Sequence, residues 1–152
     1  AKGYVYLFSP DDGSLLFPDR ESFIHGLAGA KISVCFPANV THPERTGGIE
    51  TMTSRYLQSM ASKCLILGKA PDEMEELFGY NPVIEADMTD PAGQIIDILE
   101  HYSDYQELIE RNYSETLRLH TWEKRWESIK SIISEERLKE NRRDVSVDLN
   151  EM

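Results

Sequence analysis

The sequence predicts an α/β domain built on a doubly wound, open parallel sheet, and three observations lead there. Short apolar runs rich in β-forming residues recur along the first two-thirds of the 152-residue chain. Stretches with helical spacing fall between them, so the order reads strand, helix, strand, helix, repeated four times. The runs are continuously apolar rather than alternating, as in strands buried on both faces. A chain of this length buries a sizeable core as one domain. With 40% hydrophobic and 28% charged residues it has the balance of a soluble globular protein.

The expected strands are Tyr4–Phe8, Ile32–Phe36, Cys64–Leu67 and Val83–Ile84. Each is too short for a helix. Asp19, after Pro18, caps a first helix whose inner face is Phe23, Ile24 and Leu27, and Gly29 ends it. A second helical pattern covers Thr51 to Ser62, and a shorter one Glu73 to Phe78. A fourth opens at Asp90-Pro91, an N-cap followed by proline in the first turn, and buries Ile95, Ile98 and Leu99. Two longer helices close the fold. Ser103 and Gln106 have capping-box spacing for a helix to about Leu119. Trp122, Trp126, Ile129, Ile133 and Leu138 then recur as one apolar stripe, with both tryptophans expected to anchor it by packing. The folded domain is expected over residues 1–140, with a polar, flexible tail at 141–152.

Charge and composition exclude several classes of function. A formal net charge of -11 does not suit a surface that holds a nucleic-acid backbone or an anionic membrane. No segment has the length of a membrane span and no signal peptide opens the sequence, so a cytoplasmic protein is expected. Cys35 and Cys64 sit inside apolar runs and read as buried free thiols. No His or Cys pair has metal-ligand spacing, and no metal or cofactor is expected.

In an open parallel sheet, ligands bind beyond the carboxyl ends of the strands. The segment after Phe36 runs to Glu50, long against the usual ~2–6 residues of such a connection. It contains Gly47-Gly48, expected just before a helix, where free N–H groups suit a phosphate. On the helix that follows, Met52, Tyr56, Leu57, Met60 and Ala61 share one face at ~100° per residue. Thr51, Ser54, Arg55 and Gln58 share the other. Hydroxyls, one guanidinium and one amide make a donor-rich, lightly charged face, suited either to a diphosphate and sugar hydroxyls or to ordinary solvent.

Thr53–Leu67 resembles the C-terminal domain of group-1 glycosyltransferases, most closely the spore-maturation-protein-like branch. There a helix ending in Leu/Phe-Glu-Ala-Met-Ala-Cys-Gly leads at once into a short apolar strand. Asp72–Phe78 is similar to the family's next helix, and His120-Thr121-Trp122-Glu123-Lys124-Arg125 to its His-Thr-Trp/Tyr-x-x-Arg signature. The resemblance covers about residues 31 to 133, in order. It implies the C-terminal, Rossmann-like three-layer half of a GT-B fold, a nucleoside-diphosphate sugar as ligand, and an N-terminal GT-B domain as partner. In the wider family two Glu residues eight positions apart contact the donor sugar and the ribose. Glu50 and Gln58 have that spacing, with an amide at the second position. The resemblance therefore implies a donor-sugar contact for Glu50 and donor-binding roles for Gly47, Gly48, Thr51, Ser54, Arg55 and Gln58. The glycines precede Glu50 rather than follow it, which leaves Glu44 as an alternative acid.

Two other functions fit the same fold class. A degenerate, non-catalytic binding domain would account for Gln58. A phosphoacceptor receiver would use Asp11-Asp12, but it also needs an aspartate at a middle strand end, where Pro37-Ala38-Asn39 stands.

Overall fold

The computed structural model describes residues 3–7 and 16–148. It is a helix-rich α/β structure around three parallel strands. Helix α1 (Arg20–Ala28) leads to β1 (Ile32–Cys35), followed by two single-turn helices, α2 (Ala38–Thr41) and α3 (Pro43–Thr46). Next come α4 (Ser54–Ala61), β2 (Leu65–Gly68), α5 (Asp72–Phe78), β3 (Ile84–Glu85) and α6 (Pro91–Glu100). A 3-10 turn (Tyr102–Tyr105) leads into α7 (Gln106–Leu119), and α8 spans Trp122–Asp148. The chain divides into two compact units, Ala1–Tyr113 and Ser114–Met152.

Within the first unit the sheet order is β1-β2-β3, with Ile32 opposite Leu65 and Leu67 opposite Ile84. Central β2 is buried at all four positions and its side chains alternate between two apolar clusters. Ile66 joins Cys35, Val83, Tyr56 and Met60 of α4, and Met74 and Phe78 of α5. Leu65 and Leu67 join Ile98 of α6 and Ile109 of α7. Burial on both faces is the reason the run is continuously apolar. Each such side chain contributes about 1.5–3 kcal/mol of transfer free energy.

Several local expectations are met. Asp19 caps α1, accepting from the Ser22 N–H at 2.7 Å, and Gly29 terminates it. Asp90 caps α6 through the Gly93 N–H, with Pro91 in the first turn. Both thiols are free and buried. Burial raises both, Cys64 to about 11, and its Sγ donates to the Leu27 carbonyl.

Four expectations are corrected. Tyr4–Leu7 is not one of the strands of the sheet and Val5 is 83% exposed, while Phe8 lies outside the described residues. Apolar composition makes a strand only where an edge is available to pair with. Ser103 does not cap α7. The Asp104 N–H already donates to His101, so α6 continues through a 3-10 turn and leaves no free helix start at Ser103. Ala61 is exposed, whereas Ser59 is buried and donates to Ser33 Oγ at 2.8 Å, which turns the buried face of α4 slightly. On α8, Trp122 and Trp126 are 82% and 58% exposed, and Ile129 and Ile133 are exposed as well. Helical spacing places these residues on one face but does not supply a neighbour for it. Leu138 lies outside the residues whose side chains are described.

The end of α4 shows a conflict between sequence and backbone. The Cys64 N–H donates to Ser59 and the Lys63 N–H to Met60, a Schellman arrangement with Lys63 in the left-handed position. Its φ is +57°, the one positive φ on a non-glycine among the described residues. The motif that this segment resembles has Gly at this point. Here the lysine reaches Glu110 at 2.8 Å and lies over the Tyr113 ring. Lys63→Gly and Lys63→Ala both delete these contacts, but only glycine relieves the backbone. The glycine variant should be the more stable of the two by about 1 kcal/mol in urea denaturation; equal midpoints would show that the left-handed residue carries no strain.

Candidate functional site

The site is built where β1 and β2 end. At Gly68 the last residue of β2 has φ +154°, and a Cβ there would stand 1.8 Å from the Cys35 carbonyl oxygen. Only glycine lets the two strand ends approach this closely. The next residue, Lys69, is consequently fixed on both sides of its backbone. Its N–H donates to the Cys35 carbonyl at 3.1 Å, and its carbonyl accepts from the Tyr56 hydroxyl at 2.6 Å. Tyr56 is fully buried, and that burial raises its phenol well above the ordinary value.

Glu50 meets Lys69 from the opposite side. Its Oε1 accepts from Lys69 Nζ at 2.8 Å and its Oε2 from the Asp72 N–H, at the start of α5, at 3.0 Å. The Asn39 side chain makes a smaller contribution to the stabilisation of the carboxylate. The Glu50 side chain is only 19% exposed. A reciprocal bond runs the other way, from the Met52 N–H to the Glu73 carboxylate. The loop 50–52 and the first turn of α5 therefore satisfy each other's backbone donors, as in a capping box between distant segments. Lys69 and the Asp72 N–H hold the Glu50 carboxyl below its ordinary value, and Glu50 in turn raises Lys69.

The residues expected at the site fall into two groups. Ser54, Arg55 and Gln58 are exposed on α4 while Tyr56 and Met60 face the core, so the donor-rich face exists as expected. The Arg55 guanidinium lies 4.3 Å from the Phe23 ring centre, and among the described residues no carboxylate pairs with it. Gly47 and Gly48 are placed differently. Pro43 opens a helical turn of its own, and Gly47 closes it in the left-handed conformation at φ +59°. The glycine pair is therefore the exit of α3, separated from α4 by the loop that holds Glu50 and exposed Thr51. Glu44 pairs with its neighbour Arg45, and His42 bonds Thr41. Asp11-Asp12 lie outside the described residues.

Lys69 and Asn39 were not singled out in the sequence. Lys69 could have been found from its place as the first charge after the apolar run Cys64–Gly68, at a strand's carboxyl end. Asn39 offers no comparable signal.

The segment after β2, helix α5 and the chain at β3 line a cleft of about 420 Å³. Pro71 and Val83, both buried, lie among its lining residues. Lys69, Asp72, Glu75, Glu76 and Glu85 also border it. Among the described residues no group of three His, Cys, Asp or Glu side chains could hold a metal ion. No described helix is long and apolar enough to cross a membrane.

Glu50 is ionised in the folded state at a lower pH than in the unfolded chain. Its contribution is therefore complete above the reference value of 4.5 and is lost as pH falls through the folded value. Glu50→Gln should cost about 1–2 kcal/mol at pH 7, toward the low end because Lys69 is partly solvated. The gap to the parent should narrow steadily below pH 4.5. Urea midpoints at both ends of that range measure it, and a gap independent of pH would rule out an ionised contact.

Residues 19–131 match the model of the glycosyl transferase-like family, and the chain belongs to that family. No curated protein and no solved structure matches the chain.

Proposed function

We propose that this member of the glycosyl transferase-like family binds the nucleoside-diphosphate sugar donor of a GT-B enzyme. On this reading the chain is the C-terminal, Rossmann-like three-layer half. Its binding domain spans residues 1–140, and an N-terminal GT-B domain supplies an acceptor base or the opposing wall. The reaction is transfer of a hexosyl group in the cytoplasm. Family membership points to glycosyl transfer as the chemistry. The observation that carries the donor role is the exposed face of α4. Parallel β1 and β2 flank this helix in the chain, so its first turn, with Ser54 and Arg55, lies at the carboxyl ends of the strands.

The chemical work assigned to these residues is electrostatic. As the bond to the sugar breaks, negative charge grows on the departing diphosphate. The guanidinium of Arg55, which has no carboxylate partner among the described residues, and the N–H groups that open α4 are donors for that charge. Gln58, one turn on, offers an amide to the ribose hydroxyls. Thr51 supplies a hydroxyl from the loop before α4, and Gly47 and Gly48 leave room for close approach to the backbone. A carboxylate has about four acceptor sites. Glu50 uses two of them on Lys69 and the Asp72 N–H, which leaves acceptor capacity for a donor-sugar hydroxyl.

Titration of the chain with UDP, GDP and ADP by ligand-observed NMR should show saturable binding of one of the three. Arg55→Ala should weaken it roughly 10- to 100-fold, the worth of a charge-assisted hydrogen bond. Gln58→Ala should weaken the nucleotide more than inorganic pyrophosphate. Binding that ignores both substitutions would remove α4 from the site. Retained binding in a full-length parent without turnover would identify a degenerate binding module instead.

A further inference from the structure

The cleft beside α5 and β3 is distinct from the α4 face and has a chemistry of its own. We propose that it receives the sugar of the donor and selects sugars that carry no negative charge. This rests on the donor-site reading above and adds to it the class of sugar.

The cleft has the location and the size of a ligand site. Its lining includes Lys69, just past the carboxyl end of β2, and Glu85, the last residue of β3, and about 420 Å³ falls within the roughly 300–1,000 Å³ usual for small-molecule pockets. The apolar surface of Pro71 and Val83 suits the C–H face of a pyranose. The polar lining is rich in acceptors: the carboxylates of Asp72, Glu75, Glu76 and Glu85 accept from hydroxyl groups, and among the described residues none is occupied by an internal hydrogen bond or ion pair. Among the described residues Lys69 is the one cation of the lining, and Glu50 already neutralises it at 2.8 Å.

This balance decides the ligand. A diphosphate or a hexuronate placed here meets four carboxylates and one cation that is already paired. Like charges a few ångströms apart repel even through water, and the contributions add. A neutral sugar loses nothing to that field and gains charge-assisted hydrogen bonds from its hydroxyls, and an amino sugar gains an ion pair. The diphosphate is left to Arg55, whose guanidinium has no carboxylate partner among the described residues.

The test compares two sugars on the nucleotide that the chain binds. For uridine these are UDP-glucose and UDP-glucuronate; for guanosine, GDP-mannose and GDP-mannuronate. Dissociation constants are measured by ligand-observed NMR on the whole chain, with circular dichroism to verify folding. The neutral sugar nucleotide should bind about tenfold tighter than the uronate, the ratio shrinking in 0.5 M salt. Glu75→Gln combined with Glu76→Gln should reduce the ratio severalfold. The control Glu123→Gln with Glu127→Gln, on α8, should leave it unchanged. Equal affinities, a preference for the uronate, or a ratio insensitive to the Glu75 and Glu76 substitutions overturns the selectivity. If the diphosphate binds while the ratio is one, selectivity alone falls and the donor site stands. If no nucleoside diphosphate binds, both fall together.

Discussion

The carboxylate of Glu50 joins segments that are far apart in the chain. Lys69 follows β2 and Asp72 opens α5, and both direct hydrogen-bond donors at this one side chain on the loop before α4. The strand ends can converge there because Gly68 lets its backbone pass against the Cys35 carbonyl. Tyr56 holds the carbonyl of Lys69 from within the core. Each contact alone is modest in water. Together they set the position of the loop before α4, the ammonium of Lys69 at the cleft and the first turn of α5. A change at any one of them alters the surface that a ligand meets, even where it touches no ligand.

Much of the first unit was legible in the sequence because its signals are local. Asp19 and Asp90 sit before helical patterns and cap them. The apolar run at Leu65–Leu67 is continuous because neighbours cover both faces of β2. The failures share one cause. Tyr4–Leu7 has strand composition and Trp122–Ile133 has helical spacing, yet composition and spacing describe a segment and not what lies beside it. Tertiary pairing is the missing information. Likewise Ser103 and Gln106 have the spacing of a cap, but the carbonyl of His101 reaches Asp104 first.

The site was legible by halves. The split of α4 into a buried face with Tyr56 and Met60 and an exposed face with Ser54, Arg55 and Gln58 follows from helical periodicity. The partners of Glu50 do not. Lys69 and Asp72 lie about twenty residues away and come to it only through the crossover from β1 to β2. The glycines misled for a local reason: Pro43 starts a short turn that needs its own left-handed exit, and Gly47 supplies it.

The arrangement of aromatic residues has a spectroscopic consequence. The two tryptophans of the chain are Trp122 and Trp126, both on α8 and both open to solvent. The aromatic residues of the sheet's buried cores are tyrosines and phenylalanines, with Tyr56 and Phe78 on one side and Tyr102 and Tyr105 on the other. Indole emission from the native protein is thus already that of hydrated tryptophan. It reports on α8 and is blind to melting of the sheet, so optical studies of the first unit have to follow tyrosine or the far-ultraviolet signal of the backbone.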